Sequence, residues 1–238
     1  MRTAAILPVK RFARAKRRLG ESLEEDLRRD LARAMVADVL WALGQTVSIE
    51  RTIVVTGEPL LASSATDQGA LVVEDATEEG QSAAVALGID RALAEGLERV
   101  LCIPGDCPAL DPAELEMLLR SPPVHRLGGD RGDADRPEVV IVPDRHGSGT
   151  NGLLLTPPNA IAPSFGPDSC ERHLALALAA GVACRMERPG SLLLDVDTGA
   201  DLAALRARLS GESGLALRTR AVLGRPDVED VLSVTSGG

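Results

Sequence analysis

The chain has 238 residues, of which 45% are hydrophobic, and this length and composition suffice for one domain with a substantial core. The net charge of −9, with no basic run longer than Lys16–Arg18, argues against a nucleic-acid or anionic-membrane surface. No apolar run approaches the roughly twenty residues of a membrane span, and no signal peptide is recognisable, so we expect a cytoplasmic protein.

Apolar runs alternate with helical patterns along the chain, which predicts an α/β domain with a mainly parallel central sheet flanked by helices. The predicted strands are Thr3–Val9, Thr52–Thr56, Ala70–Glu74, Arg99–Pro104, Glu138–Pro143, Gly152–Thr156 and Leu192–Val196. The predicted helices are Leu23–Leu43, Gly80–Glu95, Pro112–Arg120, Asp168–Ala180 and Gly199–Leu209. We expect this single domain to cover residues 1–210, with a surface excursion at Ser121–Pro137 and a weakly structured tail at 211–238.

Capping sequences support three of the predicted helices. The pairs Asp111 with Glu114 and Asp168 with Glu171 have the spacing of a capping box, and Thr198 with Asp201 is a weaker example. These positions are therefore expected to fix helix starts.

A basic segment, Lys10–Leu19, directly follows the first predicted strand. It lacks the glycine pattern of a Walker loop or a dinucleotide fingerprint, and a solvated run of charges is the alternative interpretation. Its position at the end of the first strand favours contact with phosphates. Lys10 and Lys16 are the candidates to neutralise a triphosphate as point charges.

Three aspartates, Asp106, Asp195 and Asp197, stand where predicted strands end. Parallel sheets bind ligands at the edge formed by the carboxyl ends of their strands. Asp195 and Asp197 are two positions apart, so an extended chain presents them on the same side. Hard oxygen ligands in such a group suit Mg²⁺. Helix capping or loop hydrogen bonding is the alternative role for each aspartate.

Two glycine-containing loops, Gly147–Thr150 and Gly166–Ser169, have the residue types of anion-binding loops. His173 comes four residues after Ser169, so on a helix it lies on the same face and could contact an anion held at the helix start. A surface histidine on a capped helix is the alternative. No serine or cysteine has a setting specific enough for nucleophilic catalysis.

These residues together resemble the guanylyltransferase family of coenzyme F-420 biosynthesis. The matching segments are Pro8–Lys10 with Ala15–Leu19, Gly105–Pro108, Gly149–Asn151, Phe165–Ser169 with Arg172 and His173, and Asp195–Thr198. The resemblance runs from about Met1 to Leu209. The segment from Gly149 to His173 is its most specific part, since the aspartate motifs are shared with many nucleotidyltransferases.

The resemblance implies a single Rossmann-like nucleotidyltransferase domain that joins GTP to a phosphorylated three-carbon acid and releases pyrophosphate. It implies that Thr150, Gly166 and Ser169 contact the acid, with Lys10 nearby, and that the three aspartates hold Mg²⁺. Many relatives carry a Leu-Asn-Ala turn where this sequence has Glu79–Val85, so Gln81 or Ser82 is expected to contact the base.

We expect the acid to be phosphoenolpyruvate, because the composition is typical of a bacterial genome; 2-phospho-L-lactate and 3-phosphoglycerate are the alternatives. A pathway partner that takes the unstable product is a further expectation. Transfer of CMP or another nucleotide to a different small acceptor is a rival activity. A noncatalytic sensor of nucleotides or phosphate is a rival from another class, which the presence of Asp106, Asp195 and Asp197 disfavours.

Overall fold

The computed structural model describes residues 1–14, 19, 23–121, 136–211 and 214–225, and a seven-stranded sheet forms its centre. The strands are β1 (Thr3–Val9), β2 (Arg51–Thr56), β3 (Leu71–Glu74), β4 (Arg99–Cys102), β5 (Glu138–Pro143), β6 (Thr150–Thr156) and β7 (Ala183–Met186). The helices are α1 (Glu25–Gln45), α2 (Pro59–Asp67), α3 (Gln81–Ala94), α4 (Pro112–Arg120), α5 (Ser169–Ala179), α6 (Gly199–Gly211) and α7 (Leu217–Leu223).

The sheet is mainly parallel, as the sequence predicts, with the strand order β3-β2-β1-β4-β6-β5-β7. Only β6 runs antiparallel to its neighbours β4 and β5 in the described sheet, because a short turn joins it to β5. This reversal has a consequence for ligand binding. Thr150, the first residue of β6, lies at the same edge of the sheet as the last residues of β1 and β4.

Helices cover both faces of the sheet, and successive residues of the central strands alternate between two apolar clusters. Leu7 and Val54 pack with residues of α1 and α4 on one face. Ile6 and Ile53 pack with residues of α3 and α5 on the other. Burial on both faces explains why these strands are continuous apolar runs rather than alternating ones.

Helix α3 packs very closely against β1 at Gly88. A Cβ atom built on this glycine would lie 2.5 Å from Cγ2 of Ile6, which no real packing allows. The missing side chain brings the amino end of α3 over the carboxyl ends of the strands, where the polar residues collect.

The predicted weakly structured tail contains a helix, so that prediction is wrong for residues 217–223. Asp38, which is buried on α1, accepts hydrogen bonds from the backbone N–H groups of Arg218 (3.1 Å) and Thr219 (2.8 Å) at the start of α7. Leu223 packs into an apolar cluster with Leu27 and Leu31 of α1. This docking needs partners distant in sequence, which local propensity does not reveal. Residues 226–238 lie outside the described residues.

Two further differences concern the secondary structure itself. Leu192–Val196 is not a sheet strand: a 3₁₀ turn covers Gly190–Leu192, and residues without regular secondary structure follow. Helix α2 and strand β7 were not predicted. Strand β7 has only four residues and pairs in parallel with β5 alone, at the edge of the sheet, so its apolar signal is weak.

The three capping sequences differ in outcome. Asp111 accepts the N–H of Ala113 at 2.8 Å, as predicted, whereas Glu114 accepts the N–H of Ser191 at 2.7 Å instead of closing a box. Asp168 has a left-handed backbone (φ 55°) and makes no side-chain cap bond, so that capping prediction is wrong. Thr198 and Asp201 form the reciprocal pair, with bonds in both directions.

Most of the predicted surface excursion, residues 122–135, lies outside the described residues. Among the helices that the structure describes, none combines the length and apolarity that a membrane crossing requires.

Candidate functional site

A cavity of about 300 Å³ lies at the edge of the sheet where β1, β3 and β4 end. Four of the predicted site residues line it together: Lys10, Gln81, Asp106 and Asp197. One wall is apolar and consists of Phe12 and residues of α1, and the opposite wall is the amino end of α3. The structure therefore brings Lys10, the first residue of the basic segment, and two of the three aspartates to one place.

Asp195 and Asp197 reach this edge through a segment without regular secondary structure. The N–H of Val196 donates to the carbonyl of Asp106 at 3.0 Å, which fastens the segment to the loop after β4. Leu194 and Val196 are buried while Asp195 and Asp197 are only partly buried. Burial thus alternates with a period of two although the segment is not a strand, and of the two aspartates Asp197 lines the cavity while Asp195 bonds to Asn151.

The charges of Asp106 and Asp197 act on Asp195. Burial raises the pKa of Asp195, and the negative charges of Asp106 and Asp197 raise it further. A hydrogen bond of 3.1 Å from the amide of Asn151 acts in the opposite direction. Because like charges that are held together favour a counter-ion, this arrangement suits a cation.

Within the described ranges, no set of three or more His, Cys, Asp or Glu side chains is arranged to hold a metal ion on its own. The chemistry of the aspartates nevertheless fits Mg²⁺, which protein sites usually bind through one or two carboxylates together with water and substrate phosphates. Asp106 and Asp197 line the cavity and are the direct candidates, whereas Asp195 lies against Asn151.

Two carboxylates hold the segment that carries Lys10. The N–H of Arg11 donates to Glu78 at 3.3 Å, and the N–H of Phe12 donates to Glu58 at 3.2 Å. The guanidinium of Arg11 also pairs with Glu78 at 3.4 Å. These contacts fix the backbone beside Lys10 without using the lysine itself. Lys16, the second predicted phosphate contact, lies outside the described residues.

The first predicted anion loop, Gly147–Thr150, belongs to the hairpin connection between β5 and β6. Asp144, in the same connection, bonds to it. Asp144 accepts the N–H of Ser148 at 3.0 Å through its carboxylate and the N–H of Gly147 at 3.1 Å through its carbonyl. A Cβ atom on Gly149 would lie 2.7 Å from the same carboxylate. Two of its N–H groups are thus bonded within the turn, and anion binding by the rest of this loop stays a prediction.

The side chain of Arg172 bonds to the second predicted anion loop, Gly166–Ser169, and to the residues just before it. Its guanidinium donates to the hydroxyl and carbonyl of Ser164, both at 2.9 Å, and also bonds the carbonyls of Phe165 and Pro167. Gly166 is exposed at the tip of this loop with φ 113°, a conformation that favours glycine. Ser169 is buried at the start of α5, with its N–H bonded to the carbonyl of Gly166 at 3.1 Å.

His173 is completely buried and bonded on both sides. Its Nε2 accepts the N–H of Ser164 at 2.9 Å, and its Nδ1 lies 3.0 Å from the hydroxyl of Thr150. Burial, with a smaller contribution from the charge of Arg172, lowers the pKa of His173 to about 4. The ring is therefore neutral near pH 7, and with Nε2 accepting, the proton sits on Nδ1 and is donated to Thr150.

Both sequence interpretations of His173 are therefore wrong in this structure. The side chain is not exposed, and it has no surface left for direct contact with a ligand. It instead joins Thr150, the predicted acid contact, to the loop that contains Gly166.

Ser82 also has a different role from the predicted one. Its hydroxyl accepts the N–H of Phe165 at 2.8 Å, so the start of α3 is bonded to the loop before α5. This bond connects the cavity, where Gln81 lies, to the surroundings of Thr150 and Ser169.

Sequence reasoning assigned no role to two residues of the site. Asn151 is buried on β6, and its amide donates to the carbonyl of Leu192 at 2.9 Å and to Asp195. A polar residue at the start of an otherwise apolar strand was the available signal. Asp75, directly after β3, is buried and lines the cavity. It also follows a predicted strand and satisfies the same rule that selected the other aspartates.

Comparisons with known proteins agree with this geometry. The model of a family described as CofC-like guanylyl transferases matches residues 3–215. A phosphoenolpyruvate guanylyltransferase of Conexibacter woesei is 48% identical over 223 residues, which are 94% of this chain and 96% of that protein. A 2-phospho-L-lactate guanylyltransferase of Methanothermobacter thermautotrophicus is 33% identical over 202 residues, covering 85% of this chain and 83% of the relative.

The fold has relatives among solved structures. A nucleotidyl transferase from Methanothermobacter thermautotrophicus superimposes with a TM-score of 0.61 at 21% identity, covering 89% of this chain and 99% of that one. At this identity the likeness concerns the fold, and it agrees with a Rossmann-like nucleotidyltransferase architecture.

Proposed function

Because the chain belongs to the family of CofC-like guanylyl transferases, we propose that it joins GTP to phosphoenolpyruvate and releases pyrophosphate. The product is enolpyruvyl-diphospho-5'-guanosine, an intermediate of coenzyme F-420 biosynthesis. The observation that carries this proposal is the cavity at which Lys10, Asp106 and Asp197 meet. One positive and two negative side chains at a sheet edge are what a magnesium nucleotide requires.

The cavity is the proposed site of GTP. Lys10 supplies positive charge for the triphosphate, as does Lys16 in our sequence-based expectation. Gln81 lies at the amino end of α3, where it is available to the nucleoside. Ser82, the next residue, accepts the N–H of Phe165 and so bonds the start of α3 to the loop before α5.

Asp106 and Asp197 are the proposed ligands of Mg²⁺, with Asp195 beside them. Bound Mg²⁺ would supply Lewis-acid stabilisation of the negative charge on the reacting phosphates. The contribution of the chain is to hold the carboxylates at one edge, through the bond from Val196 to the carbonyl of Asp106 and the bond from Asn151 to Asp195.

The proposed reaction needs no protein base. A phosphomonoester carries most of its second negative charge near neutral pH, so its oxygen is already a nucleophile. This oxygen attacks the α-phosphorus of GTP, the bond from that phosphorus to the bridging oxygen of the β-phosphate breaks, and pyrophosphate leaves with the electron pair. Positioning and charge neutralisation then carry the catalysis, which agrees with a neutral, buried His173.

The acid is proposed to bind at Thr150, Gly166 and Ser169. Gly166 presents exposed backbone at the loop tip, while Thr150 and Ser169 are nearly enclosed. Phosphoenolpyruvate is preferred over 2-phospho-L-lactate because the relative with 48% identity bears the former name and the one with 33% identity the latter.

The proposal is tested by Asp106→Asn, which keeps the size of the side chain and removes its charge. We expect pyrophosphate release from GTP and phosphoenolpyruvate to fall by at least about 100-fold, the scale expected when a metal ligand for the reacting phosphates is lost. The matched control is Asp111→Asn, which preserves the cap of α4 because asparagine caps helices as well as aspartate does. Equal rates in the two variants would remove Asp106 from the active site.

A further inference from the structure

The cavity has two chemically different ends. Asp106 and Asp197 lie at the end formed by the loop after β4, and Asp75 lies at the end formed by the loop after β3. Strands β3 and β4 are separated by β2 and β1, which puts the two ends roughly 14 Å apart at the usual strand spacing. This distance is comparable with the length of a nucleoside triphosphate. If the phosphates occupy the Asp106 end, the base reaches the Asp75 end.

Asp75 is held rigidly at this position. Asp75 is only 4% exposed. Its N–H donates to the carbonyl of Thr56 at 3.1 Å, and its Oδ1 accepts the N–H of Glu78 at 2.9 Å. Glu78 in turn holds the backbone of Arg11, next to Lys10. A carboxylate fixed in this way loses little freedom when a ligand binds, so the site is preorganised for a directional contact.

Guanine is the base whose edge matches a carboxylate. It presents two adjacent donors, N1–H and the N2 amino group, and a carboxylate offers two acceptor oxygens with room for further bonds beside the one from Glu78. Adenine has an acceptor at N1, cytosine has one at N3, and uracil flanks its N–H with carbonyl groups. Each of these bases would place an acceptor against the negative charge of Asp75.

We propose that Asp75 selects guanine by accepting hydrogen bonds from N1–H and the N2 amino group. The inference rests on the proposed function for its substrate, GTP. It concerns a residue that neither the sequence motifs nor the resemblance indicated. Gln81 and the apolar wall around Phe12 then enclose the nucleoside.

Removing one donor from the base tests the proposal in the unchanged protein. Inosine triphosphate lacks the N2 amino group but keeps N1–H. We expect the wild-type protein to bind it about tenfold more weakly than GTP, since one hydrogen bond to a charged group is lost. Equal affinities for the two nucleotides would overturn the proposal.

Asp75→Asn gives the complementary test. Asparagine keeps an oxygen for the N–H of Glu78, so the turn is preserved, and it replaces one acceptor by an NH₂ donor. Xanthosine triphosphate has a carbonyl where guanine has its amino group. We expect the variant to lose at least tenfold in affinity for GTP and to prefer xanthosine triphosphate, a gain that damage to the fold cannot produce. The matched control is Asp90→Asn, an exposed position on α3.

Calorimetric titration of each nucleotide with Mg²⁺, without any acid, separates this proposal from the proposed function. A variant that still prefers GTP over xanthosine triphosphate would exclude Asp75 as the reader of the base. Failure of the wild-type protein to turn over phosphoenolpyruvate would count against the proposed function and leave the binding comparison intact.

Discussion

The two regions that we propose as the nucleotide half and the acid half of the site differ in how their polar groups are arranged. In the first, Lys10, Asp106 and Asp197 line a cavity of about 300 Å³. In the second, Thr150 and His173 are bonded to each other and buried. The proposed nucleotide half is thus open to a ligand, whereas in the proposed acid half these two side chains bond to each other. Because the hydroxyl of Thr150 accepts a hydrogen bond from His173, its own O–H can still donate to a ligand, and we propose that the acid uses this donor together with the exposed backbone of Gly166.

The two halves also differ in electrostatics. Around Asp106, burial raises the pKa of Asp195, and the negative charges of Asp106 and Asp197 raise it further, so the folded chain disfavours the charged state of Asp195. Around His173, burial keeps the ring neutral and every observed hydrogen bond is compatible with that state. The first arrangement costs stability and suits a cation, whereas the second stabilises the fold. This contrast can be tested one half at a time.

The largest expected effect is the pH dependence of stability that His173 confers. Its pKa is about 4 in the folded chain and 6.5 ordinarily, so between these values the unfolded chain binds the proton and the folded chain does not. The unfolding free energy contributed by the neutral ring is complete above about pH 6.5 and is lost as the pH falls toward 4, by about 3 kcal/mol in total.

Chemical denaturation across this pH range compares the wild-type protein with His173→Gln. We expect the variant to be less stable at pH 7 and to show a flatter decline between pH 6.5 and 4, because glutamine does not titrate. Arg172, whose charge faces His173, is retained in both proteins. His146→Gln, at an exposed position, is the control. Parallel pH curves for wild type and His173→Gln would contradict the buried, neutral ring.

The next effect concerns Thr150, which separates acid binding from nucleotide binding. Thr150→Val removes the hydroxyl and keeps the shape. We expect the KM for phosphoenolpyruvate to rise about tenfold, the cost of one hydrogen bond to a charged ligand, while the KM for GTP stays unchanged. Thr150→Ser, which keeps the hydroxyl, should leave the KM for phosphoenolpyruvate near the wild-type value. An equal rise in both KM values would mean that the two halves are not distinct sites.

The smallest effect is expected at Ser82, which bonds the nucleotide half to the loop of the acid half through Phe165. Ser82→Ala should raise the KM for phosphoenolpyruvate about fivefold at saturating GTP, because one neutral hydrogen bond is lost. Ser63→Ala, at an exposed position on α2, is the control. An unchanged KM would show that this bond does not connect the halves.

The sequence predicted which residues line the cavity better than it predicted the surroundings of His173, for a physical reason. Lys10 and Asp106 follow apolar strands, and polar residues at such strand ends meet at one edge of a parallel sheet; Asp197 lies at the same cavity although its segment is not a strand. That rule depends only on chain order and periodicity. Asp75 satisfies it equally and was overlooked.

The acid half depends on hydrogen bonds between segments distant in sequence. Whether His173 faces solvent, a ligand or Thr150 is decided by the packing of α5 against β5 and β7 and by the N–H of Ser164. The loop at Gly147 has the composition of an anion site, but Asp144 already accepts two of its N–H groups. Fold elements follow the same division: β1, β5 and α4 were predicted to the residue, whereas β7 and α7 depend on distant partners.

The central claim is tested most directly by magnesium-dependent pyrophosphate release from GTP, with phosphoenolpyruvate, 2-phospho-L-lactate and 3-phosphoglycerate supplied separately and the product mass read in the same assay. Turnover with phosphoenolpyruvate, and a product with the mass of GTP plus the acid minus pyrophosphate, is the predicted result. Absence of turnover with all three acids, or turnover with CTP in place of GTP, would contradict it.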